Sequence, residues 1–80
     1  MIERTFGNFE GRVDVARDEM HIRGLNYGWK ATYSLDELPS KIAFYDRLIA
    51  AQIKRGSEVS DGFENTKKCL QWGRRILADG

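Results

Sequence analysis

From Phe9 the chain alternates between apolar and polar residues. Phe9, Gly11, Val13 and Val15 share one parity, with Glu10, Arg12 and Asp14 between them, which is the period of a half-buried strand. Arg17, Asp18 and Glu19 interrupt it as a polar turn, and Met20 and Ile22 then alternate with His21 and Arg23. Gly24 to Gly28 carries two glycines and Asn26, residues that tolerate a chain reversal. Trp29, Ala31, Tyr33 and Leu35 alternate with Lys30, Thr32 and Ser34 in the clearest strand of the chain. The pattern predicts a three-stranded antiparallel meander over about residues 5–35, with one apolar face.

Beyond Ser34 the period lengthens. Ser34 to Glu37 has capping-box spacing, but Pro39 would then sit uncomfortably deep in the helix. A turn through Asp36 to Leu38 is preferred, with Pro39 in the first helical turn, where its missing N–H costs nothing. The helix is predicted over 39–55, stopping at Gly56. Ile42, Tyr45, Leu48, Ile49 and Ile53 fill one arc at helical spacing, Arg47 and Lys54 lie opposite, and Phe44 and Ala51 fall on the flank. Residues 56–62 form a polar connector. Asp61 and Glu64 have capping-box spacing, and a second helix is predicted over 62–77. Phe63, Thr66, Cys69, Leu70, Gly73, Ile76 and Leu77 make its apolar face, Lys67, Lys68, Arg74 and Arg75 the opposite one, and Trp72 the border. Two amphipathic helices and a one-sided sheet need mutual cover. The expected fold is therefore a single two-layer α+β domain over residues 1–80, with both helices on one sheet face. Its expected core is Val13, Val15, Ile22, Trp29, Ala31, Tyr33, Ile42, Tyr45, Ile49, Ile53, Leu70, Ile76 and Leu77.

Length narrows the function classes. Eighty residues make one small domain, with stability of about 4–12 kcal/mol. The longest apolar runs, Ile42 to Tyr45 and Leu48 to Ala51, are four residues each, far short of the roughly 20 a membrane span needs. The N-terminus has early acidic residues and no apolar run, unlike a signal peptide. A single cysteine, Cys69, cannot form an internal disulfide. These features lead us to expect a cytoplasmic protein without a membrane partner.

Known catalytic patterns do not appear. His21 and Cys69 alone cannot complete a tetrahedral metal site. His21 lies on the polar parity of a strand, and Cys69 on an apolar helix face as a small hydrophobe. The doublets Asp18-Glu19 and Asp36-Glu37 fall in turns, where neighbouring carboxylates point apart and stay solvated. No phosphate-cradling glycine loop, nucleophile elbow or paired-histidine zinc motif occurs. The sequence therefore predicts neither an enzyme nor a cofactor, metal or small-molecule substrate.

Charge shifts attention to the surface. The net charge is only +1, but Lys41 to Arg75 holds eight basic residues against four acidic, while residues 1–40 hold five against seven. A basic helical layer can meet phosphates or an acidic protein. Tyr27, Phe44 and Trp72 add aromatics outside obvious core positions, and aromatics with arginines are common interface anchors. The segment Gly62 to Thr66, followed by Cys69 and Trp72, is similar to a pattern in the small sheet-plus-helix DNA-binding domains at the front of some phage integrases. The similarity covers about a dozen residues and omits the preceding long helix. It implies a shared way of packing a helix on a sheet.

The expected function is a non-catalytic interaction domain: a stoichiometric regulator or inhibitor docking on a protein or a protein–nucleic acid complex. Its size and lack of catalytic motifs match phage and mobile-element proteins of the anti-CRISPR type. The expected partner-binding residues are Phe44, Arg47, Lys67, Lys68, Trp72, Arg74 and Arg75. The alternative is direct nucleic-acid binding by the basic face of the C-terminal helix. A third reading is an assembly subunit that associates through the Phe44/Ala51 flank or an open sheet edge.

Overall fold

The computed structural model describes residues 1–26 and 28–79. It is an α+β structure in which a four-stranded antiparallel sheet of order β1-β2-β3-β4 precedes two helices. The strands are β1 (Ile2–Phe6), β2 (Phe9–Asp14), β3 (Glu19–Gly24) and β4 (Lys30–Ser34); the helices are α1 (Leu38–Lys54) and α2 (Asp61–Asp79). Tyr27, expected in the Gly24 to Gly28 reversal, lies outside the described residues.

The additional strand is β1, which pairs with β2 from Ile2↔Val13 to Phe6↔Phe9 across the Gly7-Asn8 turn. Its inward positions are Ile2, Arg4 and Phe6, so a charged residue breaks the apolar alternation. An edge strand can carry such a residue because much of it stays in solvent. Arg4 satisfies itself locally, its guanidinium lying over the Phe6 ring at 5.1 Å.

The parity read from the sequence holds through β2, β3 and β4. Val13 pairs with Met20 and Met20 with Tyr33; Gly11 pairs with Ile22 and Ile22 with Ala31. These residues face the helices, and Val13, Met20 and Ile22 are fully buried. Val15 departs from the expectation. It begins a short 3-10 turn through Arg17, after which Asp18 takes a left-handed conformation, and it is 39% exposed. Trp29 precedes β4 and keeps 37% of its surface, with its ring edge-on to Phe9 at 6.0 Å.

The two helices are not equivalent. α2 lies directly against β2 and also contacts β1 and β3, whereas α1 packs chiefly on α2. α1 reaches the core through Leu38 and Ile42, while Tyr33 and Tyr45 are only partly buried beside it. Pro39 occupies the first turn as predicted, and the helix ends before Gly56, whose φ of +76° suits glycine. Ile53, expected in the core, is 62% exposed because the last turn of α1 runs past the layer that would cover it. Ile49 is half-buried.

Ser60, not Asp61, caps α2. Its hydroxyl accepts from the Gly62 N–H at 3.2 Å and its carbonyl from the N–H groups of Phe63 and Glu64. The Ser60 N–H donates to Gln52 Oε1 at 2.8 Å, tying this cap to α1. Thr66 donates its hydroxyl hydrogen to the Gly62 carbonyl at 2.7 Å, which is why a polar residue can be buried there.

Candidate functional site

The outward sheet face neutralises itself. Arg12 reaches Glu3 at 2.7 Å and Glu10 at 3.6 Å, and Arg23 reaches the same Glu10 at 3.1 Å. His21 is hydrogen-bonded to Thr32 through Nδ1 at 2.8 Å and lies 3.6 Å from Glu19 through Nε2. Arg12–Glu3, Arg23–Glu10 and His21–Thr32 are cross-strand neighbours brought together by the register, whereas Arg12–Glu10 and His21–Glu19 stand two residues apart on one strand. Exposed pairs of this kind add little stability, but they leave this face with little net field.

The helical layer differs, and the structure divides its expected binding residues among five environments. Phe44 is 45% exposed and Arg47 is exposed. Together with Tyr33, Lys41 and Tyr45 they line a groove of about 330 Å³ between β4 and α1. Lys41 lies over the Tyr33 ring at 5.5 Å, and Phe44 meets Tyr45 edge-on at 5.3 Å. Arg74 and Arg75 line a separate groove with Ile42 and Gln71, between the C-terminal half of α2 and the start of α1. Lys68 is exposed on the outer side of α2.

Lys67 is drawn into an ion pair with Asp46 and joins the two helices. Trp72 is 7% exposed, tilted against Phe6 at 5.7 Å. It therefore belongs to the core and supports the seating of α2 instead of facing outward. Among the described residues Lys41, Arg47, Lys68, Arg74 and Arg75 have no acidic partner within ion-pair distance.

A feature not anticipated from sequence adjoins the first groove. Phe9, Trp29, Tyr45, Phe63 and Thr66 line an aromatic cavity of about 270 Å³ between the sheet and the two helices. Tyr45 belongs to both hollows and meets Phe63 at 6.1 Å. No local sequence signal marks this cavity, because it depends on α1 packing chiefly on α2 and standing off the sheet. Burial pushes the Tyr33 and Tyr45 hydroxyls up in pKa, with Glu37 adding to the first effect and Tyr33 to the second.

No group of three or more histidine, cysteine, aspartate or glutamate residues able to hold a metal ion occurs among the described residues. Nor is any helix there long and apolar enough to cross a membrane. Cys69 is fully buried, and burial pushes its thiol from 9.0 up to about 12. Protected from solvent and protonated, it should react slowly with thiol reagents in the native state.

The unfolded thiol ionises above about pH 9 while the folded one holds its proton to about 12. Stability is thus fully present below pH 9 and is lost as pH rises through that window, by up to about 1.4 kcal/mol per unit. Tyr33 and Tyr45 add a loss of the same sign above their ordinary value of 10.0. Cys69→Ala should keep the fold, lose about 1 kcal/mol at neutral pH and flatten the decline between pH 9 and 10. Urea melts across pH check this; an unchanged slope in the variant would reject the assignment.

Comparison with protein-family models, with curated proteins and with solved structures finds no match. The functional reading therefore rests on the surface itself.

Proposed function

We propose that the protein is a non-catalytic interaction domain that docks on a macromolecular partner through its helical layer, in the manner of a stoichiometric regulator or inhibitor. The observation that carries this is the Phe44 groove. A large exposed aromatic is flanked by Lys41 and Arg47, neither of which has an acidic partner among the described residues. An aromatic anchor beside an arginine is a common centre for a protein interface. The opposite face of the molecule offers a neutralised charge lattice, so any electrostatic steering arises from the helices.

Lys68, Arg74 and Arg75, exposed and without an acidic partner among the described residues, favour a second reading, direct contact with nucleic-acid phosphates. Fluorescence polarisation with a labelled DNA duplex and single strand separates the two. At about 150 mM salt the docking reading expects dissociation constants above about 1 μM, the range of non-specific binding. Tighter binding that is lost on changing Lys68, Arg74 and Arg75 to glutamine, with the log–log salt slope reduced by about 0.9 per phosphate contact, would establish the nucleic-acid reading. In the docking case, Phe44→Ala combined with Arg47→Glu abolishes capture of the protein partner while the far-ultraviolet spectrum stays unchanged.

A further inference from the structure

β4 pairs only with β3 among the described residues, so its other edge carries no strand. The direction of its backbone groups can be read from the register. The Gly24 N–H donates to the Trp29 carbonyl at 2.9 Å, and the Leu35 N–H donates to the Asp18 carbonyl at 2.9 Å. Odd-numbered residues of this segment therefore turn their peptide groups toward β3. Antiparallel alternation turns those of Lys30 and Thr32 outward.

The same edge borders both aromatic hollows, with Trp29 at one end and Tyr33 at the other. The helix beside this edge, α1, packs chiefly on α2. Backbone donors and acceptors, side-chain pockets and cations without an acidic partner among the described residues thus coincide along and beside one strand edge.

We propose that the β4 edge and the aromatic groove beside α1 receive an extended, acidic segment of a protein partner, which adds to the sheet as a fifth strand. The inference rests on the docking reading above and names the partner chemistry. β4 has five residues, about 17 Å of strand, enough to pair with a segment of similar length. Alternate side chains of that segment would point to the helical side. Apolar ones near Trp29 would meet Phe63 and Tyr45, and a carboxylate further along would meet Lys41 and Arg47. On the outward side Lys30 faces the same incoming chain. Glu37, close enough to Tyr33 to raise its hydroxyl, sets the end of the cationic stretch.

Charge complementarity selects this occupant. A nucleic acid would gain the cations but leave the outward peptide groups of β4 without a matching ladder. A second copy of this chain would bring Lys30, Lys41 and Arg47 against their own kind when β4 pairs with β4.

The test uses the full chain and a random peptide library of about 12 residues, displayed and selected at about 150 mM salt. Enriched peptides should carry apolar residues followed by an aspartate or glutamate on one parity, the every-second positions that face the helices. One is then synthesised with a fluorophore and titrated. Its affinity should fall at least about tenfold with Lys41→Glu and Arg47→Glu together, a loss of about 1.4 kcal/mol. N-methylation of single peptide nitrogens should reproduce a loss of that size at every second position and spare those between, which a side-chain-only site would not show.

No enriched peptide, or one indifferent to both changes, overturns strand addition. Sedimentation should show a monomer at about 100 μM, a concentration well above micromolar affinity; a dimer dispersed by the double charge reversal would also overturn it, the edge then being filled by a second copy. The docking reading fails separately, by the sub-micromolar nucleic-acid binding described above. Peptide binding that is insensitive to N-methylation yet abolished by Phe44→Ala would retain docking and reject the added strand.

Discussion

Replacing Gly11 by valine is expected to destabilise the protein severely. Valine suits strands better than glycine, and at an exposed strand position the change would stabilise. Here the sign reverses because α2 lies on β2 at the distance that a missing side chain allows. A Cβ at Gly11 would stand 2.6 Å from the Cys69 sulfur and 3.0 Å from the Trp72 ring. Neither neighbour has room to yield, since Cys69 is fully buried and Trp72 nearly so. Gly73 makes the reciprocal approach from α2, where an added Cβ would collide with the Met20 side chain.

Overpacking of this kind costs about 1–3 kcal/mol, and more when helix and strand must separate. That is a large part of the roughly 4–12 kcal/mol expected for a domain of this size. Gly11→Ala should fall between the wild type and valine in urea melts. Gly11→Ala with Cys69→Ala should recover part of the loss, a coupling that a double-mutant cycle measures directly. A valine variant as stable as the wild type would show that α2 does not sit where the structure places it.

This contact explains what sequence could and could not convey. Strand parity around Gly11 was legible because a period of two survives a glycine, and the helical phase of α2 was legible because Cys69, Leu70, Gly73 and Leu77 recur on one face. That Gly11 and Gly73 mark the contact of strand with helix was not legible, since isolated glycines are equally compatible with bulges and turns. β1 escaped notice because an edge strand need not alternate, and Arg4 takes one of its inward positions. Trp72 read as a border residue because its angle on the helix lies between the faces, but the space over Gly11 accommodates its ring.

Ile53 shows the converse. Its phase on α1 is correct, yet phase says nothing about whether a partner layer extends that far. The candidate site was half legible for the same reason. Phe44 was identified from its flank position and Arg47 from its place opposite the apolar arc, whereas their joining with Tyr33 and Lys41, and the adjacent aromatic cavity, depend on how far α1 stands from β4. That distance is a tertiary property with no local signature.

Leu70 is where the next large effect is expected. It sits at the centre of α2, fully buried, within the core cluster that also contains Ile42 and Leu38 of α1. α1 has few contacts with the strands and packs chiefly on α2, so the position of its groove-forming residues depends on that seam. Leu70→Ala should cost about 2–5 kcal/mol, the range for a buried large-to-small change that leaves a cavity. Ile53→Ala removes a similar volume from an exposed position and should change stability by less than about 0.5 kcal/mol.

The pair therefore tests the inequality of the two α1 ends as well as the core. Equal destabilisation would mean that the last turn of α1 is covered, contrary to its exposure. If enough of the Leu70→Ala variant stays folded to be assayed, partner capture should weaken along with stability, because Phe44 and Arg47 are held in place through α1. Ile53→Ala should leave capture intact. Unfolding midpoints together with capture measured on the folded fraction decide both points. Wild-type capture by a strongly destabilised but folded Leu70→Ala protein would show that the docking surface does not depend on the α1–α2 seam.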